Sequence, residues 1–120
     1  MALESRFATT STETPEGIAI IALSGQLDAH TAPEFERLLE HTIREQGKKK
    51  IVLDFGPLEY IASAGLGVLM GFIEETREAD GDIKFAAVPD KIYHVLDLLG
   101  FPIVFQIAPT VREAVDVFLL

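Results

Sequence analysis

Cysteine is absent from this chain. That absence excludes a disulfide framework and any thiolate metal site, and it fits a reducing compartment. Positive charge is scarce: 10 Lys and Arg stand against 19 Asp and Glu, for a net charge of -9. A nucleic-acid partner requires a basic face, which this balance does not supply. The one basic run, Lys48-Lys49-Lys50, falls between an expected helix end and a strand start, where it complements the negative helix C-terminus. No apolar stretch approaches the ~20 residues of a membrane span. The opening Met1-Ala2-Leu3-Glu4-Ser5-Arg6 lacks the apolar core of a signal peptide, so the expectation is a cytoplasmic protein. Internal repeats, low-complexity segments and linkers are also missing. The 120 residues read as one domain, 1–120, large enough to bury a core without staples.

The stretch around which the rest is organised is 59–73. A short apolar approach ends at Tyr60 and Ile61, a corner of small residues follows from Ala62 to Gly65, and then an apolar run takes helical spacing. Leu66, Leu69, Met70 and Ile73 fall at offsets of three, four and seven, which predicts one buried face of a helix from Ala64 to about Ala79. Ser63 stands where the N-cap belongs. The plain reading is a cap and nothing more. Against it, Gly67 and Gly71 thin one face of the helix and no bulky side chain covers the hydroxyl. A phosphate on Ser63 would meet the positive end of the helix dipole. Val68 and Phe72 lie off the inward stripe, which implies either wide burial or an exposed docking patch.

The remaining chain supplies the frame. Leu3–Thr10 is a strand candidate, Ser11–Gly17 a polar turn, and Ile18–Leu23 a strand apolar enough for burial on both faces, so the chain opens with an antiparallel hairpin. Ser24–His30 reads as a loop into a helix with a capping box at Thr31 and Glu34, Pro33 in its first turn, and Phe35, Leu38, Leu39, Thr42 and Ile43 inward; Gly47 ends it. Ile51–Phe55 and Ile83–Val88 are buried strands. Pro89-Asp90 begins a short helix with Ile92, Val95, Leu96 and Leu99 inward, closed by Gly100. Ile103–Ile107 reads as a last short strand, and Thr110 with Glu113 as a second capping box before a final helix. This order implies an α/β fold: a mixed sheet with an N-terminal antiparallel hairpin and about four helices mainly on one side. The Asp28-Ala29-His30 loop and the Ser63 corner both follow a strand and precede a helix, so they open on the same edge of the sheet.

Gly25-Gln26-Leu27-Asp28 with Thr31-Ala32, the strand Ile51-Val52-Leu53-Asp54, the corner Ser63-Ala64-Gly65-Leu66-Gly67 and the closing Leu98-Leu99-Gly100-Phe101 together resemble a STAS domain. The version resembled most is the stand-alone anti-sigma factor antagonist of bacterial partner switching, and the likeness runs from about Ile18 to the end. The resemblance implies that Ser63 is the phosphoacceptor of an anti-sigma factor serine kinase with the histidine-kinase-like ATPase fold. The unphosphorylated form would bind that kinase and free the sigma factor, and a phosphatase acting on phospho-Ser63 would reset the cycle. Asp28, His30, Ser63, Gly65, Leu66, Gly67 and Met70 would lie at or near the partner. One position departs from the family pattern: Ala62 replaces the usual Asp before the serine. Slower phosphorylation, a different kinase, or no phosphorylation at all are each compatible with that change.

Other classes find less support. A phosphoacceptor receiver domain needs acids after its first strand and a lysine after its last, where this chain has Ser24-Gly25 and Ala108-Pro109. His30, His41 and His94 show no metal-ligand spacing, so no metal or cofactor is expected. Ser63 has no evident base, and Gly65, Gly67 and Gly71 are not followed by the Gly-Lys-Ser/Thr of a Walker loop. The chain is expected to act by binding, without catalysis. The alternative inside the same family is a STAS adaptor subunit of a lipid-transport ABC complex, or of a stress-sensing assembly, with no phosphorylation.

Overall fold

Strand β2 (Ala19–Leu27) carries the sheet, pairing along its length with three neighbours. The computed structural model describes residues 6–120. β1 (Ala8–Glu13) runs antiparallel to β2, with Ala8 opposite Ser24 and Glu13 opposite Ala19, as the expected hairpin. Its bounds differ from expectation. The front of the Leu3–Thr10 candidate, residues 3–5, lies outside the described residues, and the strand continues through Ser11, Thr12 and Glu13. An edge strand needs only one partner for its backbone, so its side chains are free to be polar. Five of the six are exposed.

β2 also outruns its expected end. Ser24–Leu27 is strand, because β4 (Leu58–Ile61) pairs in parallel with Gly25–Leu27 beyond the point where β3 (Lys50–Asp54) has left Ala19–Ala22. A bulge between Gly25 and Gln26 marks the handover. Gly25 has φ +79, and a Cβ there would overlap the Arg6 carbonyl. Only glycine fits where the entering chain crosses this close. β5 (Asp82–Ala86) follows β3 and β6 (Ile107–Ala108) follows β5, all parallel. The sheet is therefore mixed, with β1 the one antiparallel member among the described strands.

There are five helices among the described residues. Helix α1 (Ala32–Glu40) continues as a π-helical turn, His41–Glu45; α2 spans Ser63–Glu78, α3 Asp90–Leu98 and α5 Val111–Phe118. The fifth, α4 (Phe101–Val104), occupies most of the segment expected to be strand. Left-handed Gly100 ends α3, Pro102 favours a first helical turn, and only Ile107-Ala108 pairs with β5. The face carrying α1 to α4 holds the main core, including Ile21, Leu53, Phe35, Leu69 and Phe85; α5 alone covers a smaller cluster of Ile18, Val52, Ala86, Ala108 and Ala114 on the other. β2 thus feeds both cores by alternation, which is why its run of apolar residues is nearly continuous. A row of rings, Phe55 to Phe85 (4.7 Å), Phe85 to Phe105 (4.5 Å) and Phe105 to Phe101 (5.6 Å), ties the sheet to α4. Each such burial contributes about 1.5–3 kcal/mol.

Two expected inward positions turn outward. Met70 is 47% exposed and Leu99 56% exposed, because helices resting on a sheet bury only the stripe that touches it. Phe72 is buried instead, with the Arg44 guanidinium 5.2 Å above its ring, and Val68 packs partly against the core. These two residues form no exposed patch.

Candidate functional site

The site begins with strand pairing. Leu27 lies opposite Ile61, and the Ala62 N–H donates to the Leu27 carbonyl at 2.9 Å. The chain therefore leaves β2 and β4 side by side, so the loop Asp28–His30 and the first turn of α2 start from neighbouring strand ends. The two segments do open on one edge.

The β2–α1 loop is held by its own side chains. Asp28 Oδ1 accepts from the backbone N–H of His30 (2.9 Å) and of Thr31 (3.2 Å). The Thr31 hydroxyl accepts from the Asp28 N–H at 2.9 Å and donates to the Gln26 carbonyl at 2.9 Å. This arrangement replaces the capping box expected at Thr31 and Glu34: Thr31 makes no side-chain cap, and its hydroxyl is turned back into the loop. Some desolvation pushes the Asp28 carboxyl up. The His30 and Thr31 hydrogen bonds and the nearby His30 charge outweigh it and hold the group below 3.8. Asp28 is an anchored anion at the platform's edge, and His30 beside it is exposed.

Ser63 is not the N-cap. That place belongs to Ala62, extended at φ -117 and ψ 168, and Ser63 is the first helical residue. Alanine has no side-chain acceptor, so the first turn of α2 carries no side-chain cap and Ser63 projects into solvent. The offset of one residue follows from the bond between Ala62 N and Leu27 O, which keeps Ala62 on the strand side.

The other expected contact residues divide into two groups. Gly67, Gly71 and Met70 face outward on α2, and a Cβ at either of these glycines would meet nothing within 4 Å. Gly65 and Leu66 face inward. A Cβ on Gly65 would lie 2.5 Å from Leu27 Cγ, and Leu66 is 3% exposed. They set how closely α2 rests on β2 and form no part of the surface. Tyr60, 51% exposed on β4, joins the platform although the sequence reading placed it in an apolar approach. A tyrosine at the end of a short strand gives no periodic signal to mark it. No group of three or more His, Cys, Asp or Glu side chains among the described residues is placed to hold a metal ion.

Residues 9–114 match the STAS domain family, so the chain belongs to it. It is 30% identical over 100 residues to the anti-sigma F factor antagonist of Paenibacillus polymyxa, covering 83% of each chain. It is also 30% identical over 99 residues, 82% of this chain and 84% of the relative, to BtrV of Bordetella bronchiseptica, described as a candidate anti-sigma factor antagonist. The fold matches the anti-sigma factor antagonist SpoIIAA in its unphosphorylated form, with TM-score 0.79, 21% identity, and 91% and 94% of the two chains covered. It also matches the Bacillus cell fate determinant SpoIIAA in the phosphorylated form, with TM-score 0.70, 23% identity, and 91% and 97% covered.

Proposed function

We propose that this STAS domain is an anti-sigma factor antagonist that regulates transcription through protein binding in the cytoplasm. It docks on an anti-sigma factor serine kinase of the histidine-kinase-like ATPase fold and frees the sigma factor. Phosphorylation of Ser63 ends the complex, and a phosphatase restores it. The observation that carries this reading is the exposed Ser63 hydroxyl on the uncapped first turn of α2, level with the Asp28 loop. The relatives bearing antagonist names support it.

The physical switch is a change of charge on a surface that must be desolvated to bind. Unmodified, the platform offers a small hydroxyl, the open strip of Gly67 and Gly71, and apolar area from Met70 and Tyr60. A phosphate adds about 1.5–2 negative charges. The free N–H groups and dipole of α2 accommodate that dianion in the isolated protein, so the fold persists. Against a partner, the phosphate must be stripped of water, and the complex weakens. Ala62 brings no carboxylate to this surface. That feature favours a second reading, a STAS adaptor of a lipid-transport ABC complex or stress-sensing assembly that never carries the phosphate.

Pull-down from native extract with wild type, Ser63→Asp and Gly67→Leu bait, read by mass spectrometry, separates the two. A histidine-kinase-like ATPase retained by wild type and lost with both variants supports the antagonist. A transporter ATPase retained equally by wild type and Ser63→Asp sinks the switch and supports the adaptor.

A further inference from the structure

We infer that the cavity between the β1–β2 hairpin and the π-helical turn is a binding site for a small, neutral, hydroxyl-rich molecule. Its volume is about 330 Å³, within the ~300–1,000 Å³ range of small-molecule sites. Ser11 and Glu13 of β1 line one side, Thr42 of the helical turn and Gln46 just after it the roof, and Lys48 the far wall, with buried Ile21 of β2 beneath. This is the end of β2 remote from Leu27 and Ser63, so the site is separate from the platform.

Two independent features point to a ligand. The first is Thr42, a polar residue only 4% exposed. Buried Thr76 returns its hydroxyl to the Phe72 carbonyl at 2.7 Å, as a helical threonine does. Thr42 makes no such bond to any described residue. No fully enclosed polar atom among the described residues lacks a partner, so the Thr42 hydroxyl opens into the cavity that its residue lines. The second is the π-helical turn His41–Glu45 itself. Such widened turns are rare, are costly to form, and recur at functional sites. This one carries Thr42 and, with Gln46 next to it, makes the roof.

The lining selects the chemical class. Glu13 and Lys48 pair with each other across the cavity wall, so the walls are neutral as a unit. The paired charges leave a charged ligand no unpaired opposite charge to meet. The hydroxyls of Ser11 and Thr42 both donate and accept, and the Gln46 amide does the same through two atoms. Groups of that kind are matched by hydroxyls on the ligand. A cyclic polyol or a monosaccharide has all of these features.

The test uses the full chain, ¹⁵N-labelled, titrated with glycerol, D-glucose and myo-inositol and, as charged comparators, with inorganic phosphate and acetate. Saturable amide shifts at Ser11, Thr42 and Gln46 are expected with at least one of the three neutral probes. Thr42→Val keeps the shape and removes the hydroxyl, and it should weaken that binding at least tenfold. Gln46→Ala, at an exposed position, should also weaken it and guards against a folding defect in the first variant. Absence of saturable shifts with all three neutral probes overturns the proposal. Binding of phosphate or acetate alone, or equal binding by Thr42→Val, overturns it as well.

Discussion

Helix α2 contains three glycines in seven residues, and replacing each by alanine should give opposite signs for one chemical change. Gly67 and Gly71 are interior helical positions with open space where a Cβ would go. Alanine there gains about 0.8–1.0 kcal/mol of helix propensity, part of it from a less disordered unfolded chain. For 120 residues, an unfolding entropy of about 2.1 cal/mol/K per residue gives roughly 250 cal/mol/K, so ~1 kcal/mol moves the midpoint by about 4 °C. Gly67→Ala and Gly71→Ala should each raise the midpoint by about that amount. Gly65→Ala makes the same gain and then forces a methyl to 2.5 Å from Leu27 Cγ, a fully buried side chain at the end of β2. Overpacking of that kind costs about 1–3 kcal/mol. The net is a loss of about 1 kcal/mol, and the midpoint should fall by about 4 °C. Thermal unfolding followed by far-ultraviolet circular dichroism, checked by urea titration, reads all three. A rise for Gly65→Ala equal to that of Gly71→Ala would refute the claim that Leu27 sets the helix-to-strand distance. Partner affinity adds a second readout: under the proposed function Gly67→Ala stabilises the fold and weakens docking, so the two effects separate in one variant.

Gly25→Ala should cost about 3 kcal/mol or more, since positive φ and overlap with the Arg6 carbonyl add; the urea midpoint measures it, and a loss under 1 kcal/mol would contradict the close crossing. Asp28→Ala should lower the thermal midpoint at neutral pH. The Asp28 carboxyl titrates below 3.8 in the folded chain, so its stabilising effect is complete above the ordinary carboxylate range and is lost as pH falls through the folded value. Wild type and variant should therefore converge in midpoint only as pH falls below the ordinary carboxylate range, and a gap that stays constant into strong acid would remove the carboxylate from the loop's support. Ser63→Asp should leave the unfolding free energy within about 0.5 kcal/mol of wild type by urea titration, as for an exposed substitution; a larger loss would mean that any fall in partner binding reflects misfolding.

Local chemistry in the sequence settled the number and order of most elements. The 3.6-residue spacing of Leu66, Leu69 and Ile73, the apolar runs at Ile51 and Ile83, and the glycines at helix ends each act within a few residues, so a window of the chain is enough to show them. The corner at Ser63 and the loop at Asp28 were legible for the same reason, and their meeting on one edge followed from right-handed connections. Tertiary structure decided what depended on a distant partner. Ser24–Leu27 is strand because β4 arrives to pair with it, and Ala62 takes the N-cap because its N–H is drawn to Leu27. Thr31 abandons its helix cap because Gln26 and Asp28 offer its hydroxyl a better place. Met70 is exposed and Phe72 buried because the sheet and Arg44 lie where they do. The strand expected at Ile103 became a helical turn once Gly100 took a left-handed conformation and Phe101 and Phe105 joined the ring stack below β5. Gly65 has its role only because Leu27, far away in sequence, fills the space its missing side chain leaves.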